Sequence, residues 1–299
     1  MTISGVLLRM DHDNDRQTEA DDMTKPSFPE PDEHFFSSWR TAAPGFEDAL
    51  ERLRSAPVRS DADHRLINSN NAKCVWRCRD GAFDFAYKTQ DGKTPWRYLF
   101  RHSLPVRECL HYRILAELDI PVPEILAVGD TRRCFILKES FLATRYLDNT
   151  CDGRVFMPGG DRRTGHDALR AAFCEGHLRY LARLHDAGYF HKAFHPRNLL
   201  FRETGDETAP QLFWIDVARL RKSADARRTV IVDLHTFFRD MLLPEAEVKR
   251  LIGIYIAARR TPCADAEQIF SGLVTFKRRA FSKKTYRIAM EQEEGEARK

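Results

Sequence analysis

Four residues fall in an order that phosphoryl transfer can use. Lys88 lies in "FAYKTQ", Glu108 twenty positions later in "VRECLHY", Asn198 in "HKAFHPRNLLF" and Asp216 in "LFWIDVARL". Moving a γ-phosphoryl group needs positive charge on the phosphates, a divalent cation to neutralise developing charge, and a group that orients and deprotonates the acceptor hydroxyl. Lys88 supplies a cation for the phosphates and Glu108 an anchor for that cation. Asn198 and Asp216 are hard oxygen ligands of the kind Mg²⁺ prefers. ATP and Mg²⁺ are therefore the expected cofactors, and His191 and Lys192 brace the loop that carries Asn198. One part is missing: Ala193 stands five positions before Asn198, where such a loop carries an aspartate. A methyl group neither accepts a proton nor orients a hydroxyl, and losing a positioned base typically removes about 10²–10⁴ in rate.

Taken singly, these residues have plainer readings. Lys88 reads as a surface lysine, Glu108 as a carboxylate favoured near a helix start by the dipole, and Asn198 as a turn cap. Asp216 is harder to dismiss, because a carboxylate closing the apolar run "LFWI" is costly without a partner. It is the joint order and spacing that points to one site.

The elements that must position these residues are legible as patterns. "GFEDALERLRSAP" predicts a short amphipathic helix. "AKCVWRCR" and "AFDFAYKTQ" predict two strands joined by a tight turn at "RDG". "VRECLHYRILAELDI" predicts a helix with Leu110, Ile114, Leu115 and Leu118 at helical spacing. "IPVPEILAVGD" and "RCFILKES" predict two further strands. After the polar stretch 147–165, "DALRAAFCEGHLRYLARLHDAG" predicts a long helix with Leu178, Leu181 and Leu184 on one face and Gly188 at its C-terminal cap. "NLLF" and "QLFWIDV" are short strands flanking "RETGDETAP", and the chain reads helical from "RTVIVDLHTFFRDML" onward. The expectation is an α+β fold of two lobes: a small antiparallel sheet with one packed helix over 34–145, binding nucleotide, and a mainly helical part over 146–299, carrying the loop, the metal ligands and the acceptor.

Composition excludes several classes. The chain of 299 residues is 42% hydrophobic and 31% charged, an ordinary globular balance. No apolar run approaches the roughly 18–20 residues of a membrane span, and the N-terminus turns acidic too quickly for a secretory signal, so the expected location is cytoplasmic. Seven scattered cysteines suggest reduced thiols, with no metal spacing. The net charge of +4 hides an asymmetry: residues 1–33 hold nine acidic and three basic side chains, leaving about +10 on the rest. That leader is expected to be disordered. The basic remainder suits an anionic partner or a plain solvated face. A nucleic-acid partner is not expected, since no binding motif is present and the aromatics among the basic residues sit at core positions.

The same stretches resemble the bacterial lipopolysaccharide core kinase family of Kdo/WaaP type, on the protein-kinase-like fold. "LPVRECLHYRILAELDIPVPEILAVGD", "CFILKES", "LHDAGYFHKAFHPRNLLF", "LFWIDVARLR" and "IVDLHTFFRDM" are similar to its helix glutamate segment, its next strand, its catalytic loop, its metal-binding strand end and the helix that follows, over roughly residues 60–255. The resemblance implies ATP-dependent phosphorylation of a heptose or Kdo of the lipopolysaccharide inner core, at the cytoplasmic face of the inner membrane. The basic run "KRRAFSKKTYR" then reads either as a dock for anionic lipid or as a solvated helix face. "HKAFHPRN" fits aminoglycoside- and choline-type small-molecule kinases equally well; "RECLHYRILAELDIP" and "FILKES" favour the lipopolysaccharide kinases.

The chain departs from the pattern at three places. Ala193 replaces the loop aspartate. The nucleotide turn would be "NSNNAKC", without glycine, where close backbone approach to phosphate is harder. "DVA" at 216–218 lacks the glycine of many kinases, a glycine that Kdo/WaaP members often lack too. Ala193 leaves open a silenced kinase scaffold, an aspartate-to-alanine change in a working enzyme, a substitute base such as His195, and a non-catalytic nucleotide-binding module. Asp233 and Arg239 read either as supports of the loop or as an ordinary helix pair.

Overall fold

The computed structural model describes residues 39–280 apart from 56–57, 71–72, 92–97, 99–100, 134, 163 and 224–225. The acidic leader 1–33, Asn71 and Ala72 of the nucleotide turn, and 281–287 of the basic run lie outside these residues.

Six antiparallel strands form the main sheet: β1 (Trp39–Ala42), β2 (His64–Asn70), β3 (Lys73–Asp80), β4 (Phe83–Asp91), β5 (Ile125–Arg133) and β6 (Ile136–Arg145), in the order β1-β5-β6-β4-β3-β2. β3 and β4 pair in continuous register from Lys73↔Gln90 to Asp80↔Phe83. The two-residue connection opens with Gly81 at φ +57, a conformation that costs glycine nothing and suits a hairpin's twist. Side chains alternate across the sheet. Phe85 and Tyr87 of β4, with Phe141 and Ala143 of β6, bury against helix α1 (Glu47–Ser55), which contributes Ala49, Leu50 and Leu53. Lys88 and Gln90 of β4 therefore take the opposite face, opposite Leu142 and Ser140 of β6.

That second face packs on α2 (Leu104–Glu117). Its N-terminus is capped by Ser103, which accepts the Val106 N–H, and Pro105 occupies the first turn. The buried stripe differs from the expected one: Val106, Cys109, Tyr112 and Leu115 are enclosed, while Leu110, Ile114 and Leu118 are half-buried. The reason is that α2 meets the sheet on one side and the helical half on the other, so its enclosed residues are those between two packed surfaces. Val106, Cys109 and Tyr112 share one continuous core with Leu178, Leu181, Phe194, Trp214 and Phe237.

The helical half is built on α3 (Asp167–Asp186), whose Leu178, Leu181 and Leu184 are all enclosed and whose end is followed by Gly188 at φ +77. α4 (Ala226–Met241), α5 (Glu245–Ala258) and α6 (Ala266–Ala280) complete it. Between α3 and α4 run four short strands, after β7 (Thr150–Asp152) upstream: β8 (Tyr189–Phe190), β9 (Leu199–Arg202), β10 (Gln211–Trp214) and β11 (Arg221–Lys222). β9 pairs with β10 and with β7, and β8 pairs with β11. These ladders clamp both ends of segment 191–198 and both ends of 215–220. Strands β1, β2, β7, β8 and β11 were not legible beforehand; β2, "HRLINSN", is a polar sheet edge with Leu66 and Ile67 exposed. Among the described residues no helix is long and apolar enough to cross a membrane.

A buried histidine gives the core a pH dependence. His177 of α3 accepts the Trp214 indole N–H at Nδ1 (3.0 Å), and burial pushes its pKa down to about 3. The unfolded chain takes up this proton below about 6.5 while the folded one does not, so stability is full above that pH and falls as pH drops towards 3, by about 1.4 kcal/mol per unit per such group. His177→Gln keeps an acceptor for the indole and is expected to flatten the decline in melting temperature between pH 7 and 5. An unchanged slope contradicts this origin.

Candidate active site

The sheet's inner face and the β9–β10 hairpin bring the candidate residues to one cleft. Lys88 Nζ donates to Glu108 Oε1 across the β4–α2 packing. Glu108 is not at the start of its helix, as the dipole reading requires; it is one turn in, 4% exposed, and α2 has no acidic residue in its first turn. A carboxylate so enclosed needs partners, and it has two, since the Tyr112 hydroxyl donates to the same oxygen at 2.7 Å. The phenol also meets the backbone of Asp216, so Tyr112 joins the anchor of Lys88 to the metal-ligand candidate.

Asn198 and Asp216 are set side by side by the hairpin. Leu199 pairs with Trp214, and the Ile215 N–H donates to the Asn198 carbonyl at 3.0 Å. Asp216 has φ +53, a left-handed conformation that a non-glycine residue holds at some cost. Its side chain opens to solvent in the cleft and forms no ion pair with a described residue. The protein packed around it, and then the charge of Glu108, raise its pKa, while Lys88, Lys73 and Arg219 act in the other direction. One amide and one carboxylate oxygen suit Mg²⁺, which keeps waters and takes phosphate oxygens for the rest of its shell. Among the described residues no group of three or more His, Cys, Asp or Glu side chains is placed to hold a metal.

The loop between β8 and β9 is fixed from α4. Asp233, fully enclosed, accepts the backbone N–H groups of His191 (2.6 Å) and Lys192 (2.7 Å), and lies 3.2 Å from His185 Nε2. These bonds hold Lys192 at φ +61. His191 is also enclosed, against Phe194 and Trp214, and burial pushes it down to about 4, Asp233 acting in the other direction; it packs as a neutral ring. Lys192 is exposed. Ala193 is buried, and its carbonyl accepts the Asn198 Nδ2–H at 3.0 Å. The loop thus keeps its shape without a carboxylate at 193. His195 Nδ1 lies 2.7 Å from Asp240 Oδ2, and Arg239 Nε donates to the other oxygen of Asp240 at 2.6 Å. Burial of Asp240 is outweighed by these two bonds, and its pKa is lowered.

Several members of this site escaped the sequence reading. Tyr112 belongs to none of the motifs and carries no signal of its own in the sequence. Neither does His111, whose Nδ1 meets the Val217 carbonyl at 2.8 Å. Lys73, at the end of the quoted turn "NSNNAKC", belongs to the site electrostatically: burial lowers its pKa, Asp216 and Glu108 raise it, and Lys88 and Arg219 lower it.

The family model for the lipopolysaccharide kinase (Kdo/WaaP) family matches residues 86–255, from β4 to the last turn of α5. The chain belongs to that family. A solved structure titled WaaP in complex with acyl carrier protein superposes with a TM-score of 0.60 at 18% identity, covering 81% of this chain and 97% of that one. The kinase domain of Mycobacterium tuberculosis PknI follows at a TM-score of 0.44 and 15% identity, covering 74% of this chain and 98% of that one. No curated protein sequence matches the chain. The fold is kinase-like, an antiparallel sheet with one helix joined to a helical half, as expected from the motif order.

Asp233 should dominate the loop's stability. Removing it in Asp233→Ala leaves enclosed donors without partners, which costs about 2–4 kcal/mol. Denaturant unfolding of the variant is expected to show a loss of that size; a change under about 0.5 kcal/mol contradicts the role given to this carboxylate.

Proposed function

We propose that this chain binds ATP and Mg²⁺ between the sheet and the helical half, on a scaffold for phosphorylating a hydroxyl of the lipopolysaccharide inner core, a heptose or Kdo. The observation that carries the reading is the Lys88–Glu108 pair facing Asp216, with Asn198 beside it on a loop that Asp233 holds. In this reading Lys88 contacts the phosphates, Glu108 keeps its ammonium in place, and Asn198 and Asp216 hold the cation. The cation, when bound, draws off the charge that builds on the transferred group. Those parts fix geometry and electrostatics, which supply most of the acceleration in phosphoryl transfer. His191 and Lys192 act through the loop: the first packs it from within, the second holds its turn.

What the scaffold lacks is a group at 193 to take the acceptor's proton. Ala193 therefore favours a second reading, a non-catalytic nucleotide-binding module of the same fold, and small-molecule acceptors of the aminoglycoside or choline type are the alternative within the first. The presence of Lys88, Glu108, Asn198 and Asp216 together supports a kinase scaffold whose loop has lost its base. Contact with the inner face of the inner membrane is part of the proposal, resting on the basic charge of the chain beyond its leader.

Transfer of labelled phosphate from ATP to a lipid A–core acceptor, compared between this chain and Ala193→Asp, tests it. The carboxylate is expected to raise the rate by about 10²–10⁴, and Asp216→Asn in that background is expected to abolish it. Nucleotide binding with no transfer by either protein, across core-sugar and small-molecule acceptors, supports the non-catalytic module. Full activity with Ala193 in place overturns the assignment of the missing base.

A further inference from the structure

The nucleotide turn has no glycine, and the residue that ends it is a lysine. We infer that Lys73 is a second phosphate-binding cation of the cleft, doing with a side chain what the backbone of a glycine-rich turn does elsewhere; this rests on the nucleotide-binding reading above.

The register of the hairpin places it. Lys73 is the first residue of β3 and sits opposite Gln90, while Lys88 sits opposite Val75. Residues directly opposite each other share a face, and so do residues two apart along a strand. Lys73, Val75, Lys88 and Gln90 are therefore on the inner face, the one that packs on α2. Gln90 confirms the direction of that face, because its Oε1 accepts the Leu104 N–H at the start of α2. Lys73 is half-buried there, and the charges that act on it are Asp216 and Glu108, attracting, and Lys88 and Arg219, repelling.

Two ammonium groups on one sheet face repel each other unless an anion lies between them. Lys88 has such a partner in Glu108. Lys73 forms no ion pair with a described residue, and the first turn of α2 carries no acidic residue. A polyanion entering between the sheet and Asp216 would meet both cations. The phosphate chain of a nucleotide has the charge and length for that, with Asp216 on its far side. Lysine suits the position because it approaches as a point charge from a flexible stem, without requiring the backbone itself to come close.

The distinguishing property is dependence on phosphate. The measurement is equilibrium binding of Mg²⁺-ATP and of adenosine to the full chain and to Lys73→Met and Lys73→Arg. Lys73→Met keeps the apolar stem, and adenosine binding reports that the cleft is intact. The inference expects Lys73→Met to weaken ATP binding about 10- to 100-fold, adenosine binding to stay within about 2-fold, and Lys73→Arg to recover most of the ATP affinity. ATP affinity equal to the parent's in Lys73→Met overturns the inference while leaving the nucleotide site standing. So does an equal loss for ATP and adenosine, which marks Lys73 as merely structural. A parent chain that binds no ATP overturns the nucleotide-site reading and this inference with it.

Discussion

An enclosed carboxylate must be answered by a cation or by donors, and in this fold the carboxylate is Glu108. Only Lys88 and Tyr112 answer it among the described side chains. That requirement ties α2 to β4 across the sheet face and, through the phenol, to the backbone of Asp216. Removing Lys88 would strand the Glu108 charge in a low-dielectric setting, which is far more costly than losing an exposed pair would be. The position of α2 therefore fixes the place of the Lys88 ammonium, and the same helix packs into the core of the helical half through Val106, Cys109 and Tyr112. Polar contacts inside an apolar joint, among them His111 with the Val217 carbonyl, register the sheet and its helix to the helical half.

The second constraint is the shape of the loop. Lys192 and Asp216 both adopt left-handed backbone conformations, which non-glycine residues hold only when their surroundings insist. For Lys192 the insistence comes from Asp233, and for Asp216 from the short ladders that clamp the segments before and after it. Ala193 sits between these supports with its carbonyl satisfied by Asn198. The backbone of the loop thus holds its shape without help from the side chain at 193.

Much of this was legible in the sequence, because periodicity and order report what a chain must bury. "AKCVWRCR" and "AFDFAYKTQ" were readable as two strands joined at a tight turn, and the leucines of α3 marked its enclosed side. "NLLF" and "QLFWIDV" were readable as short strands on either side of a turn. What was not legible depended on partners distant in sequence. The depth of Glu108 is set by Tyr112 and by the packing of α2 between two surfaces, so a dipole reading was natural and incorrect. β2 escaped because an exposed sheet edge carries little apolar signal, and Lys73 escaped because its neighbours are met only once β3 and β4 pair. Asp233 was readable as a support or as an ordinary helix residue; its three hydrogen-bonding contacts decide for the support.

In the proposed function, Asp216 and Asn198 face Lys88 across a site for a metal-bound nucleotide. Calorimetric titration of ATP into the chain with Mg²⁺ and with chelator, repeated for Asp216→Asn, tests it most directly. Mg²⁺ is expected to strengthen binding to the chain, and that strengthening is expected to be lost in the variant. Binding that ignores Mg²⁺, or that is indifferent to the loss of the carboxylate, would contradict it.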